Sequence, residues 1–149
     1  IWDAVAHAFF TGDTFGLSYR ELDSANGPFV IPTSSPVQFE PDALKDSITR
    51  LMSRQPASMY LTHYGRVGDV ERLARDLHDQ IDAMVAIGHD CDGRDDRHAC
   101  LVAALRTLYF VRARAHGCRL DEAGVETVLG MDIELNAQGL ASWLDRDSR

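Results

Sequence analysis

The chain reads as an α/β unit followed by an all-helical extension. Two short apolar runs each stop at a metal-competent side chain beside a glycine. They are Phe10-Thr11-Gly12-Asp13-Thr14 and Leu61-Thr62-His63-Tyr64-Gly65. A helical pattern lies between them, opened by Pro41. After Gly65 the apolar residues recur at helical spacing to the end of the chain. Strand, helix, strand and then helices alone is the order of an α/β layer with a helical addition.

Each element has its own warrant. Residues 4–12 are apolar and closed by glycine, which predicts a buried strand. Residues 14–36 are rich in Gly, Ser, Asn, Thr and Pro and predict a long loop, with Phe29-Val30-Ile31-Pro32 as a short edge strand. Pro41 suits the first turn of a helix carrying Ala43, Leu44, Ile48, Leu51 and Met52, and Gln55-Pro56 ends it. Ser58-Met59-Tyr60-Leu61-Thr62 predicts a strand with His63 at its tip. Val67, Val70, Leu73, Ala74, Leu77, Ile81, Met84 and Val85 form an amphipathic stripe, with Gly88 as its end. A polar loop from His89 to Asp96 precedes a helix over 97–116 that stops at Gly117. Leu120 to Leu129 predicts a short helix capped by Asp121 and ended by Gly130. Asp132 then caps a last helix with Ile133, Leu140, Trp143 and Leu144. The boundaries that follow are 1–66 for the sandwich-like part and 67–149 for the helical extension.

At 149 residues the chain has the length of one ordinary domain, and 45% hydrophobic residues suffice for a buried core. A net charge of −8 and the absence of a Lys/Arg cluster argue against nucleic acid as a partner. No apolar run is long enough to span a bilayer, and the start lacks a signal-peptide pattern. Ile1 opens without a methionine, which suits processing or trimming. The three cysteines, Cys91, Cys100 and Cys118, are odd in number and irregular in spacing. They do not read as a disulfide framework, so a reducing cytoplasm is the expected location. His89-Asp90-Cys91 and His98-Ala99-Cys100 offer four N/S ligands for a small zinc site; the plainer reading is a solvated loop and a core thiol.

The chemistry centres on Asp13 and His63. A carboxylate held by a glycine turn after a strand is a hard-oxygen metal ligand, although aspartate also favours turns. A histidine at a strand tip can aim one ring nitrogen into a cleft while the other meets an acceptor; the alternative is a half-buried structural histidine. The order strand–Gly-Asp-Thr, long loop, helix, strand–Thr-His-x-Gly resembles the second half of metallo-β-lactamase-fold hydrolases. Gly12 to Arg20 and Leu61 to Val67 are similar to a bacterial subgroup of that superfamily. So are the helical stretch Leu73 to Ile87 and the segment Glu134-Leu135-Asn136-Ala137-Gln138-Gly139-Leu140.

The resemblance implies part of an αβ/βα sandwich with a helical C-terminal extension. It implies Asp13 as the bridging carboxylate of a dinuclear zinc or iron/manganese site, and His63 as a terminal ligand. It implies cleavage of an ester, thioester, lactam or phosphoester in a small-molecule substrate by a metal-bound hydroxide. Ser18, Tyr19 and Arg20 would line the substrate cleft, with Arg20 holding a carboxylate or phosphate. Tyr64 and Arg66 would orient His63 or the substrate. The family's His-x-His-x-Asp-His signature is absent from the sequence, as is its other upstream histidine ligand. Two ligands fall short of the three or four that hold zinc. The expectation is a C-terminal fragment that binds metal weakly or not at all by itself and is inactive alone. Unpartnered strands and an uncovered face would make it a homo-oligomer or bind it to the missing N-terminal half. The rival expectation is a non-catalytic helical dimerisation or docking module, with Asp13 and His63 as relics.

Overall fold

The computed structural model describes residues 1–34 and 39–147; residues 35–38, including the end of the predicted loop at 35–36, and residues 148–149 lie outside the described residues. Its elements run β1 (Trp2–Asp3), β2 (Ala8–Gly12), a 3-10 turn (Arg20–Leu22), α1 (Pro41–Met52), β3 (Ser58–Leu61), β4 (Gly65–Val67), α2 (Val70–Cys91), α3 (Arg97–His116) and α4 (Glu122–Asp147). The chain is mixed α/β, with a four-stranded sheet in the order β1-β2-β3-β4.

The central pair β2 and β3 is parallel, and both outer pairings are antiparallel. Paired residues share a face of a sheet. Phe9, Met59 and Val67 turn one face toward α1 and α2, where they join Phe15, Ile48, Val70, Leu73, Leu77 and Ile81 in an apolar core. Phe10, Tyr60 and Arg66 form the next row and point the other way; the Phe10 and Tyr60 rings stack at 4.8 Å. The buried strand expected over 4–12 begins only at Ala8, after an exposed turn over 4–7 in which Val5 faces solvent, and Phe10 within it is half-exposed; β4 is an element that the sequence did not announce. Its three residues hold no pattern of their own, and they pair with β3 because Gly65, at φ +111°, closes a tight hairpin over Thr62-His63-Tyr64.

The loop after β2 is packed rather than solvated. Leu17 and Ile31 exchange both backbone hydrogen bonds at 3.0 Å. This isolated bridge stands where an edge strand over 29–32 was expected. Phe15 and Val30 enter the core beneath the sheet, while Leu17, Leu22, Phe29 and Ile31 enter a second core built by α2, α3 and α4. α2 contributes to both cores, through Leu73, Leu77 and Ile81 on one and Met84 and Cys91 on the other. Residues 1–66 and 67–149 therefore share their interiors.

Two predicted breaks are absent. α2 passes through Gly88 to Cys91, and Gly88 lies where a methyl group would meet the Trp143 ring of α4 at 3.2 Å. The glycine is a crossing point between helices, not an end. The short helix and the separate last helix are one, α4, running through Gly130 and Asp132. Asp121 does cap its start, accepting from the Gly124 amide at 2.8 Å. A glycine inside a helix costs about 1 kcal/mol. The unbroken buried row Val125, Leu129, Ile133, Ala137, Leu140 and Leu144 outweighs it, since each buried aliphatic side chain is worth about 1.5–3 kcal/mol.

The cysteine reading also changes. Cys91 at the end of α2 and Cys100 in the first turns of α3 form a disulfide, with Cα atoms 5.8 Å apart. The proposed His/Cys zinc quartet thus loses its thiolates, and Cys118 is left as a buried free thiol. Disulfides persist in oxidising surroundings, so the bond lends no support to a reducing cytoplasm. Among the described residues no helix is long and apolar enough to cross a membrane.

Candidate functional site at the tips of the parallel strands

Because β2 and β3 are parallel neighbours, their C-terminal ends lie side by side. A bulge at Thr11, between the pairs Phe10–Tyr60 and Gly12–Leu61, bends the end of β2. Such a bulge re-aims the residues that follow. His63 is the middle residue of the β3–β4 hairpin loop. The result is that His63 Nε2 stands 3.8 Å from Asp13 Oδ1, with both side chains about half exposed.

A cleft of about 320 Å³ opens over this pair. Asp13, His63 and Leu17 form one side, and α4 supplies the other through Met131, Asp132, Leu135 and Asn136. Asp132 is half-buried, and burial pushes its carboxyl above the usual range. A hydrogen bond from the Tyr19 hydroxyl at 2.9 Å and the nearby His63 oppose that shift only in part. Burial, with Asp132 beside it, pushes the Tyr19 hydroxyl up to about 12, so it remains a protonated donor through the neutral range. Asn136 fixes the far wall. Its Oδ1 accepts from the Ser34 amide at 2.7 Å, and its Nδ2 donates to Pro32 O at 3.0 Å and to Tyr109 Oη at 2.8 Å.

The other predicted lining residues divide. Tyr19 lines the cleft. Ser18 does not: it is buried, and its hydroxyl donates to Phe29 O. The Arg20 guanidinium lies 3.8 Å from the centre of the Tyr64 ring and donates to the Tyr64 hydroxyl at 2.8 Å; that hydroxyl donates in turn to Asp23 at 2.8 Å. This closed triad leaves Arg20 committed to Tyr64, away from a substrate anion. Arg66 is exposed in β4, opposite Tyr60, and not at the cleft.

Asp132, Asn136, Met131 and Leu135 went unread as site residues. The available signal was the i, i+4 spacing of Asp132 and Asn136, which places both on one helix face. It becomes visible only when the helix is read through Gly130.

Two metal bonds of about 2.1 Å set their donor atoms roughly 3–4 Å apart, and Asp13 and His63 meet that spacing. Among the described residues, however, no group of three or more His, Cys, Asp or Glu is placed to hold a metal ion. The pair is the right type and separation for two positions of a coordination sphere, and no more. No family model, curated protein or solved structure matches the chain.

Proposed function

We propose that the chain is the C-terminal part of a metal-dependent hydrolase of the metallo-β-lactamase fold, contributing Asp13 and His63 to a site completed by residues outside this sequence. The observation that carries the reading is the convergence of carboxylate and imidazole, 3.8 Å apart, from two adjacent parallel strand ends.

A bound divalent cation, zinc or iron/manganese, would lower the pKa of its water to about 7 and polarise the bond under attack. The chain's own part is to hold two donors and to shape the cleft. Tyr19 and Asp132, joined by their own hydrogen bond, give it a polar wall, while Leu17, Met131 and Leu135 give it an apolar one. The substrate class stays within esters, thioesters, lactams and phosphoesters. The outer row of the sheet, with Phe10 half-exposed against Tyr60, suits association with the remainder of the enzyme or with a second copy.

Zinc and manganese titration followed by calorimetry tests the reading. The expected result is weak binding to the chain, lost in both Asp13→Ala and His63→Ala. Equal affinity in both variants would overturn it and favour a helical docking module. Tight, stoichiometric zinc held by Asp13 and His63 through dialysis would instead overturn the claim that the site is incomplete.

A further inference from the structure

One wall of the Asp13/His63 cleft is apolar and open to solvent. Met131 and Leu135 of α4 are 78% and 38% exposed, and both line the cleft. Residues four apart on a helix are neighbours, with Cβ atoms about 5–6 Å apart. α4 already buries its other side through the row from Val125 to Leu144. Met131 and Leu135 belong to neither core, so packing gives no account of them. Small-molecule sites are lined mainly by apolar side chains with a few polar groups, and this strip joins Leu17 beside a carboxylate and an imidazole. It runs along one turn of helix, a shape for an extended chain and not for a compact ring.

The two walls are close. Asp132, next to Met131 on the helix, lies near enough to His63 for the imidazole to pull its carboxyl down against the effect of burial. The whole cleft, at about 320 Å³, falls at the small end of ligand sites, about 300–1,000 Å³. A molecule that fills it touches both the strand tips and α4.

The charges select the head group. Asp13 and Asp132 line the cleft, and among the described residues no Lys or Arg does. Arg20 is held by Tyr64, and Arg66 lies on β4 opposite Tyr60. A phosphate monoester, with a charge of about −1.5 to −2 near neutrality, would meet two carboxylates and no guanidinium or ammonium. A neutral carbonyl meets no such repulsion.

We propose that the cleft takes a neutral ester or thioester with an apolar chain, the chain lying on Met131 and Leu135 and the carbonyl facing Asp13 and His63. The assignment rests on the hydrolase reading and narrows its substrates to two classes. Hydrolysis adds a water oxygen to the acyl carbon and breaks the bond from that carbon to oxygen or sulfur. The products are a carboxylate, a proton and an alcohol or thiol.

Methionine-methyl NMR on the chain with EDTA present, using S-hexanoyl-N-acetylcysteamine as the probe, tests it. The S-acetyl homologue lacks four methylenes, and hexyl phosphate keeps the chain but carries the anion. A fully buried methylene is worth about fourfold in affinity, and an open cleft covers each only in part. The expected outcome is a saturable shift of the Met131 methyl by the hexanoyl probe, with the acetyl homologue and hexyl phosphate each about tenfold weaker or more. Met131→Ser and Leu135→Ser should each weaken hexanoyl binding about threefold or more with the melting temperature unchanged. Val111→Ser, at an exposed apolar site on α3, should not. No saturable shift at about 10 mM, equal affinity for the hexanoyl and acetyl probes, tighter binding of hexyl phosphate, or an equal loss in Val111→Ser would each overturn the assignment. So would self-association in sedimentation that Met131→Ser abolishes, which would make the strip a contact between copies. A zinc response at Asp13 and His63 without hexanoyl binding would overturn this assignment alone. Hexanoyl binding without that zinc response would overturn the hydrolase reading alone.

Discussion

Asp132 sits in the middle of a helix with its carboxylate half-buried against Tyr19. Its pKa is raised above that of an ordinary aspartate, chiefly by burial. A carboxyl whose folded pKa lies above its unfolded one contributes stability below the unfolded value and loses it as pH rises through the folded value. At neutral pH the ionised group is therefore a net cost. Asp132→Asn keeps an acceptor for the Tyr19 hydroxyl and removes the charge. Urea midpoints should be higher for the variant at pH 7, and the gap should close as pH falls below about 4. A variant less stable than the parent at pH 7 would show that the ionised form is favoured in the fold. Asp13 and His63 were legible because each follows a short apolar run and borders a glycine. Asp132 was not, because Gly130-Met131-Asp132 has the local chemistry of a helix stop and a new cap. Local chemistry lost there to a buried row that only the whole helix displays.

Elements that carry their own boundaries were readable. Pro41 starts α1, and Gly117 ends α3, its amide bonding Arg114 O at 3.0 Å. Elements that exist through their neighbours were not, and β4 is the plainest case. Gly139 shows what neighbours demand of α4. A methyl group there would collide with the Ser34 side chain, whose Cβ would stand only 2.5 Å away. Gly139→Ala should destabilise the fold by about 1–3 kcal/mol in chemical denaturation, despite the better helix propensity of alanine. The Cys91–Cys100 bond ties α2 to α3 across nine positions. Closing so short a loop is worth about 2–3 kcal/mol in the chain-entropy account. A reducing agent, or Cys91→Ala with Cys100→Ala, should lower the urea midpoint accordingly. A denatured, unreduced sample should titrate one thiol, that of Cys118. Three titrating thiols would mean that the bond is not formed.

For the molecule as a whole, α2 is the shared wall of two cores. Leu77 and Met84, two turns apart and both fully buried, serve one core each. Leu77→Ala should cost about 2–5 kcal/mol. It should lower a single transition seen alike by far-UV dichroism and, in a Trp2→Phe background, by the fluorescence of Trp143, which packs on the other core. Two separate transitions would mean that the sheet side and the helical side unfold independently. Association belongs to this scale too. If the Phe10–Tyr60 face is where the rest of the enzyme or a second copy sits, sedimentation should show concentration-dependent association that Phe10→Lys abolishes without moving the melting temperature. An α/β part giving way to helices was visible in the change of apolar period at Gly65. The sharing of interiors was not, because sequence spacing records which face a helix buries but not how many partners divide it.

The parallel pairing of β2 and β3 has an evolutionary corollary. The stretch between the two strands is a crossover, and its length has no bearing on how far apart the strand ends lie. Surface turns within it can gain or lose residues over generations while the carboxylate and the imidazole keep their spacing. Inside β3 no such latitude exists. Removing one residue would swap every side chain to the opposite face of the sheet and swing the imidazole away from its companion. Variation in descendants of this chain should therefore collect in the exposed turns of the crossover and stay out of the strand.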